Sequence, residues 1–326
     1  MRAVLCRQWG GPETLTIEEV PSRKLERGEV RIRVRAFGIN FADTLMIAGK
    51  YQVKPEFPFS PGLESAGEVI EVADDVTELR PGQRVLAVSR FGGSYVEELV
   101  IGAKSVVPIP DEMDWVTAAG FPVAYGTSHF ALTHRGHLKP GEVLLVTGAA
   151  GGVGLTAVEI GKQLGATVIA AAGGPEKLAI AREHGADHLI DYTRESIRDR
   201  VRELTGGRGA DVVYDPVGGD AFDEALRAVN WEGRMLVVGF AAGRIQSVPA
   251  NLILVKNISV TGVVWGAQAA RDPALVSRQL AELLGWWKSE RLKPRVGAVF
   301  PFDEAPDAMA ALLSRRYPGK IVVTGP

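Results

Sequence analysis

The pattern of apolar and polar residues changes near residue 124. Before this point, short runs are separated by Gly and Pro; residues 30–36 alternate throughout, and residues 67–72 and 84–88 are further short runs. Alternation with a period of two predicts strands with one buried and one exposed face. Dense turn signals between short strands are typical of a small antiparallel barrel or sandwich.

Continuous apolar runs replace the alternation beyond residue 124. They occur at residues 143–147, 167–171, 210–214 and 235–238, and helical stretches lie between them. Strands that are buried on both faces and alternate with helices predict a doubly wound parallel sheet over residues 124–265. The last 60 or so residues contain a helix and a closing strand at 320–323, and we expect them to return to the first domain. The predicted fold class is therefore α/β with two domains.

Composition narrows the possible classes of function. The chain has 326 residues, and 37 basic against 39 acidic side chains give a formal net charge of −2. It lacks the basic excess that is typical of nucleic-acid binding. The single cysteine, Cys6, excludes an intrachain disulfide and zinc sites that need two or more thiolates. No apolar run has the length of a signal-peptide core or a membrane span, so we expect a cytoplasmic protein that acts on small molecules.

A glycine-rich turn follows the first continuous apolar run. Residues 148–154 read Gly-Ala-Ala-Gly-Gly-Val-Gly, and a helix is predicted directly after them. A pyrophosphate must approach the backbone closely to reach the free amide groups of a helix start, and side chains in the turn would obstruct it. The alternative is a turn that serves only strand-to-helix geometry. We predict a dinucleotide site whose contacts are Ala150, Gly151, Gly152, Val153 and Gly154.

The end of the second continuous run favours NADPH over NADH. An NAD site usually has an acidic residue at this strand end, where it accepts a hydrogen bond from the ribose 2′-hydroxyl. Here the strand ends before Gly173 without a carboxylate, and Lys177 follows at the start of the next helix. A 2′-phosphate could meet both a cation and free amide groups there, and Tyr192 could add a hydroxyl group. The alternative is that Lys177 is simply an exposed helix residue.

The order of motifs along the whole chain resembles a known family. The motifs are residues 38–43, 61–64, 149–154, 260–266 and 319–323. They resemble the medium-chain dehydrogenase/reductase superfamily, and within it the zinc-independent quinone oxidoreductase branch of the zeta-crystallin type. The resemblance implies a GroES-like β-barrel catalytic domain formed by residues 1–123 and 266–326. It also implies an NADP-binding Rossmann domain formed by residues 124–265.

The chain departs from zinc-containing relatives at the positions that resemble their metal ligands. Those relatives have a catalytic Cys near the position of Asn40, a His at the position of Leu63, and a lobe with four cysteines. A catalytic zinc ion needs three protein ligands, and this region offers at most Asp43 and Glu64. We therefore expect no metal.

The resemblance also implies which residues surround the nicotinamide and the acceptor. It places Asn40, Asp43 and Tyr51 in the catalytic group, where Asn40 and Tyr51 could donate hydrogen bonds to a developing oxyanion. As alternatives, Asn40 satisfies loop backbone and Asp43 caps the helix that follows. Tyr125 and Trp265 would line the substrate pocket. Further cofactor contacts would be Thr127, Gly173, Gly239, Phe240, Val263 and Lys320.

A site without a metal favours delivery of hydride to an acceptor that is already electron-poor, because the incoming charge can spread onto an oxygen. We therefore expect an NADPH:quinone oxidoreductase that works in the cleft between the domains. One alternative is an NADPH-dependent reductase of 2-enals, 2-enones or enoyl thioesters. Another, from a different class, is a non-catalytic NADPH-binding protein.

The last strand of the nucleotide domain is predicted over residues 258–264 as an exposed sheet edge. Soluble proteins rarely leave such an edge uncovered, and relatives pair it across a two-fold axis. We expect a homodimer that forms through residues 258–265.

Overall fold

The structure is a computed structural model that describes residues 1–325, with the side chains of all of these except residues 269 and 270. Its residue contacts divide the chain into two units. Unit 1 consists of Met1–Val123, Gly266–Lys288 and the residues from Pro294 onwards. Unit 2 consists of Ala124–Trp265 and the short segment Ser289–Lys293.

The elements are numbered in chain order. The strands are β1 (Arg2–Cys6), β2 (Leu15–Glu19), β3 (Glu29–Ile39), β4 (Glu64–Val72), β5 (Arg84–Val88), β6 (Glu98–Gly102), β7 (Val106–Pro108), β8 (Val143–Thr147), β9 (Thr167–Ala172), β10 (His188–Asp191), β11 (Ala210–Asp215), β12 (Val229–Val237), β13 (Ser259–Gly262), β14 (Val296–Pro301) and β15 (Lys320–Thr324). The α-helices are α1 (Phe41–Ile47), α2 (Trp115–Gly120), α3 (Pro122–His129), α4 (Gly152–Gln163), α5 (Pro175–Glu183), α6 (Ile197–Leu204), α7 (Gly219–Ala228), α8 (Ala250–Lys256), α9 (Trp265–Arg271), α10 (Pro273–Lys288) and α11 (Ala305–Ser314).

Unit 1 is built around the long strand β3. Its strands follow the order β14-β15-β3-β4-β5-β7, and β6 pairs with the first half of β3. The alternation that predicts β3 is confirmed, because Val30, Ile32 and Val34 are buried. The closing strand β15 runs antiparallel to the second half of β3, with Ile321 opposite Ile39. This register brings the start of β15 to the end of β3.

Unit 2 contains a parallel sheet of six strands in the order β10-β9-β8-β11-β12-β13. This is the strand order of a dinucleotide-binding fold, in which the first strand, β8, lies at the point where the order reverses. All five residues of β8 are buried, as its apolar run predicts. The predicted fold class is confirmed.

Two strands of unit 2 differ from the sequence prediction. β12 begins at Val229 rather than at 235, because its first half carries the exposed residues Trp231 and Glu232 and therefore gives no apolar run. β13 ends at Gly262, two residues earlier than predicted. None of the described helices combines the length and the apolar composition that a membrane span requires.

Strand β13 lies at one edge of the unit 2 sheet. Within residues 1–325 it pairs with β12 alone, and the amide of Val263, just after it, donates to Val237 O at 3.0 Å. Backbone groups of successive strand residues point to opposite sides. The amide of Val260 therefore points away from β12, along the free edge that the predicted dimer would use.

We predict that Val260→Pro weakens dimer formation, because proline removes a donor from this edge and adds bulk to it. Light scattering at micromolar concentration should give twice the chain mass of 34.9 kDa for the unchanged protein and a lower average mass for the variant. The far-ultraviolet circular dichroism of the two should match, which controls for unfolding. A monomer mass for the unchanged protein would contradict the expected dimer.

Candidate functional site

The glycine-rich turn of unit 2 leaves backbone amides free. Gly151, the residue before α4, is extended, and no described side chain caps this helix. The amides of the first three helical residues, Gly152, Val153 and Gly154, have no acceptor within a helix. A Cβ atom on Gly154 would lie 2.1 Å from Gly148 O, so only glycine permits this contact between α4 and the turn that follows β8. The turn fits a phosphate group.

A cluster of hydroxyl groups supports the start of α4. Ser128 Oγ lies 3.0 Å from Val153 O, 2.8 Å from Thr156 Oγ1 and 2.9 Å from Tyr214 Oη. Thr127, the neighbour of Ser128 in α3, is partly exposed. The cluster therefore joins α3, which carries the predicted cofactor contact Thr127, to the start of α4 beside the glycine turn.

Loops at the carboxyl ends of β8, β11 and β12 meet beside this turn. A Cβ atom on Gly148 would lie 2.7 Å from Val217 Cγ2, and one on Gly218 would lie 3.4 Å from Phe240 Cα. The amide of Gly239 donates to Asp215 O at 3.3 Å. The structure thus brings the predicted residues Gly239 and Phe240 to the edge of the sheet that carries the glycine turn.

Asp215 holds these loops and was not among the predicted site residues. Its carboxylate accepts hydrogen bonds from the amides of Gly218 (2.9 Å) and Val217 (3.3 Å) and from Thr147 Oγ1. Burial raises the pKa of Asp215, and these donors oppose that rise. Its position directly after a buried apolar run is the signal that sequence reasoning could have used.

The residues predicted to contact a 2′-phosphate lie near the end of β9. A Cβ atom on Gly173 would lie 3.4 Å from Tyr192 Cε2, so the tyrosine ring lies against the glycine. Lys177 lies in the first turn of α5, whose start is also uncapped by any described side chain. The structure therefore places Gly173 and Tyr192 together and Lys177 in the adjoining helix turn.

A carboxylate also reaches the end of β9, from the neighbouring strand β10. Asp191 Oδ1 accepts from the amide of Gly174 (3.1 Å) and from the amide (3.1 Å) and hydroxyl (2.6 Å) of Thr193. The Thr193 hydroxyl is the largest cause of the lowered pKa of Asp191. Residues 171–174 contain no carboxylate, but the carboxylate of Asp191 lies close to them. Its Oδ1 atom already accepts three hydrogen bonds.

Tyr125 makes an internal hydrogen bond in unit 2. Its hydroxyl donates to Glu159 Oε2 at 2.6 Å, and Glu159 Oε1 lies 2.7 Å from His184 Nδ1 and accepts from the amide of Lys293 at 3.1 Å. Burial and the charge of Glu159 raise the pKa of Tyr125. The Tyr125 hydroxyl therefore faces α4, whereas the sequence prediction placed this residue in the lining of the substrate pocket.

Trp265 is buried against α3. A Cβ atom on Gly126 would lie 2.4 Å from Trp265 Cζ2, so the glycine makes room for the indole. Val263 is also buried. The predicted residues Trp265 and Val263 are therefore both buried in unit 2, shortly after its last strand, β13.

In unit 1, Asn40 lies at the junction of β3 and α1, in a network of buried polar groups. Its Nδ2 donates to Glu64 Oε1 at 2.9 Å, and Lys320 Nζ donates to its Oδ1 at 2.7 Å. Lys320 Nζ also donates to Glu64 Oε1 at 2.7 Å and to Ile39 O at 2.8 Å. The ammonium group of Lys320 thus uses its three hydrogens inside unit 1, and none remains for the predicted contact with a cofactor.

Glu64 was considered in the sequence only as a possible metal ligand. It is fully buried, and its second oxygen, Oε2, accepts from the amide of Val123 at 2.8 Å. A Cβ atom on Gly38 would lie 2.3 Å from Glu64 Oε1, so glycine at this position makes room for the carboxylate. Because β4 also carries Glu68 and Glu71, which are not buried, the sequence does not show that Glu64 is buried or which partner it has.

Asp43 is fully buried behind Asn40. Its Oδ2 accepts from the backbone amide of Asn40 and from Tyr95 Oη, both at 2.8 Å, and its Oδ1 has no partner in residues 1–325. Burial raises the pKa of Asp43 to about 7, although the hydrogen bonds from Tyr95 and Asn40 and the charge of Lys320 oppose the rise. The carboxyl therefore anchors the start of α1, as the capping alternative expects.

Tyr51 lies beyond the end of α1 and packs against the unit 1 core. Burial and the charge of Asp43 raise the pKa of its phenol. The phenol of Tyr51 therefore stays protonated at neutral pH and can donate a hydrogen bond.

The positions that resemble zinc ligands do not fit a metal. Leu63 has no donor atom and is buried, Asn40 is engaged through its amide, and the carboxylate of Glu64 is paired with Lys320. Among the described residues, no group of three His, Cys, Asp or Glu side chains has the geometry of a metal site.

Comparison with known proteins agrees with this architecture. Residues 26–111 match the alcohol dehydrogenase GroES-like domain, and residues 152–282 match the family described as zinc-binding dehydrogenase. Quinone oxidoreductase-like protein 2 of Bos taurus is 43% identical over 324 residues, which cover 99% of this chain and 92% of that protein. The chain belongs to the quinone oxidoreductase branch of the medium-chain dehydrogenase/reductase superfamily.

Other members of this branch match the chain from end to end. The quinone oxidoreductase of Pseudomonas aeruginosa is 35% identical over 97% of both chains. The crystal structure of the Escherichia coli quinone oxidoreductase complexed with NADPH has a TM-score of 0.92 at 29% identity, and it covers 99% of this chain and 100% of that one. The GroES-like and Rossmann fold predicted from the resemblance is confirmed.

We predict that Asp43→Asn changes the pH dependence of stability. The pKa of Asp43 rises from 3.8 to about 7 on folding, so the folded state binds a proton that the unfolded state has lost. The stability of the unchanged protein should therefore fall between about pH 4 and about pH 7 relative to a variant that cannot ionise here, by up to about 1.4 kcal/mol per pH unit.

Urea unfolding at about pH 5 and about pH 6.5 measures this difference. Asp114→Asn is the control, since hydrogen bonds from Thr117 overcome the effect of burial and hold the pKa of Asp114 below its ordinary value of 3.8. The contribution of Asp114 is constant in this window and is lost only at lower pH. Equal pH dependence of the unchanged protein and Asp43→Asn would show that Asp43 is ionised when folded.

Proposed function

We propose that this protein is an NADPH-dependent quinone oxidoreductase that transfers hydride to a quinone without a zinc ion. The observation that carries the proposal is the uncapped, glycine-lined start of α4, in a chain of the quinone oxidoreductase branch. The structure of the Escherichia coli relative, which was solved with NADPH, has the same fold along its whole length.

NADPH would supply the hydride. The amides of Gly152, Val153 and Gly154 would bind its pyrophosphate, next to Ala150 and Gly151. Lys177 and Tyr192 would bind the 2′-phosphate, the first as a cation and the second as a hydroxyl donor. We assign the remaining nicotinamide and ribose contacts to Thr127, Gly173, Gly239, Phe240 and Val263.

The acceptor would be bound by unit 1 residues on either side of α1, namely Asn40 before it and Tyr51 after it. When hydride reaches a quinone ring, negative charge develops on an oxygen, and a hydrogen-bond donor held in place lowers the energy of that state. Asn40 still has one amide hydrogen to donate, and Tyr51 has a phenol. Asp43 is fully buried, so we assign it to holding the backbone of Asn40. The hydroquinone would take its proton from water.

No step requires a metal. A zinc ion would lower the pKa of a bound alcohol, which is needed for oxidation of that alcohol. A quinone is already electron-poor and needs only orientation and hydrogen bonding. The donor set around Leu63 does not fit zinc, and this agrees with reduction of a quinone as the reaction.

We predict that the protein oxidises NADPH when a small ortho- or para-quinone is added, much faster than it oxidises NADH, and that strong chelator leaves the rate unchanged. Absorbance of the nicotinamide measures the rate. Parallel assays with a 2-enone and with an enoyl thioester test the alternative substrate class, and a faster rate with either would replace quinone in the proposal. Turnover that chelator abolishes would contradict zinc independence.

We predict that Lys177→Ala raises the KM for NADPH about tenfold, which corresponds to the loss of one charge-assisted hydrogen bond of about 1.5 kcal/mol. The KM for NADH should stay unchanged, because NADH has no 2′-phosphate. Lys104→Ala, which removes an exposed lysine of unit 1, is the matched control for a change in net charge. Equal KM values for Lys177→Ala and the unchanged protein would remove Lys177 from the phosphate site.

A further inference from the structure

Lys320, Glu64 and Asn40 form a closed set of three contacts. Each of the three polar groups is within 2.9 Å of the other two. The side chains of Lys320 and Glu64 are 9% and 0% exposed, and Asn40 is 8% exposed. Water therefore competes little for these hydrogen bonds.

The ion pair allows only one orientation of the Asn40 amide. An ammonium group has no acceptor atom, and an ionised carboxylate has no donor. Oδ1 must therefore face Lys320, and Nδ2 must face Glu64, as the structure has them. Rotation of the amide by half a turn would set two donors against each other and two acceptors against each other.

This orientation determines the direction of the remaining donor. A primary amide has two N–H bonds in one plane, and they diverge. Glu64 accepts one Nδ2 hydrogen, so the other points away from the ion pair. Without the pair, the amide could present either an acceptor or a donor on the side that faces away from Lys320 and Glu64.

We propose that the ion pair between Lys320 and Glu64 is a positioning device that holds Asn40 so that one Nδ2 hydrogen is presented to the acceptor oxygen. The proposal rests on the proposed function for the role of Asn40. It assigns Lys320 to the acceptor side in place of its predicted contact with the cofactor. Lys320 and Glu64 are positioning residues, because they act through Asn40.

The central experiment is a double-mutant cycle on kcat. The variant Lys320→Met/Glu64→Gln removes both charges together, so that neither is left buried and unpaired, and Gln can still accept from the amide of Val123. Asn40→Ala should lower kcat by about a hundredfold, as loss of an oxyanion donor does. We expect the neutral pair to lower kcat about tenfold in the unchanged background and less than twofold in the Asn40→Ala background, with an unchanged KM for NADPH.

Two outcomes of the cycle would overturn the proposal. An equal loss of kcat in both backgrounds would show a purely structural role for the pair. A raised KM for NADPH would return Lys320 to the cofactor. Glu142→Gln/Arg234→Met is the matched control, because it removes a partly buried ion pair of unit 2 with a 3.0 Å contact and should leave kcat unchanged.

A measurement without turnover separates this proposal from the proposed function. The chain has four asparagines, Asn40, Asn230, Asn251 and Asn257, so selective ¹⁵N labelling gives four side-chain amide signals. The signal lost in Asn40→Ala identifies Asn40.

Hydrogen exchange of that amide should be at least about tenfold faster in Lys320→Met/Glu64→Gln, because the variant loses charge-assisted hydrogen bonds of about 1.5 kcal/mol or more. Asn230, which donates to Asp211 at 2.7 Å in unit 2, should be unaffected. Unchanged exchange at Asn40 would overturn the proposal even if the enzyme is active. Faster exchange in a protein that reduces no acceptor would support the positioning and reject the proposed function.

Discussion

A buried ion pair is the constraint on which unit 1 depends. Lys320 and Glu64 are both buried, and either charge alone would be left uncompensated there at a cost of about 3–5 kcal/mol. Each therefore requires the other, and together they require acceptors and donors from Ile39, Asn40 and Val123. The end of β3 and the starts of β4 and β15 are held at one place as a result. Gly38 belongs to the same constraint, since any side chain there would displace the carboxylate.

Carboxylates organise unit 2 in a different way. Asp191 and Asp215 are the last residues of the parallel strands β10 and β11, and each accepts a hydrogen bond from a backbone amide of the loop that follows its strand. Glu159 joins α3 and α4 through Tyr125. These acidic groups hold the loops around the glycine turn, while the start of α4 has no capping side chain. Hydrogen bonds therefore hold the loops beside the glycine turn, while the backbone amides at the start of α4 can bind an anion.

The sequence predicted the elements of the fold better than the partners of its charged residues. Alternation located β3, and continuous apolar runs located β8, β9 and β11, because burial on one or both faces leaves a direct periodic signal. The first half of β12 left no such signal, since Trp231 and Glu232 are exposed. The glycine turn was visible because its chemistry is local.

Partners at long sequence separation leave no pattern of this kind. Lys320 lies 256 residues from Glu64 and 280 from Asn40, so neither spacing nor periodicity could pair them, and the resemblance assigned Lys320 to the cofactor instead. The hydrogen bond between Tyr125 and Glu159 was missed for a similar reason. The period of the apolar pattern shows which face of a helix or strand is buried. It does not show which polar group pairs with a polar side chain on that face. A charged residue in an apolar strand signals only that a partner exists.

The position of β15 after unit 2 in the sequence also sets an order for synthesis. Residues 36–39 of β3 pair with β15, and Asn40 gains its ammonium donor only when residue 320 has left the ribosome. The continuous stretch 124–265, which forms nearly all of unit 2, emerges well before that. Unit 2 can therefore fold during translation, whereas residues 36–39 of β3 lack β15 as a partner until that strand has also been synthesised. The hydrogen-bond network of Asn40, Glu64 and Lys320 is therefore completed only after unit 2 has been synthesised.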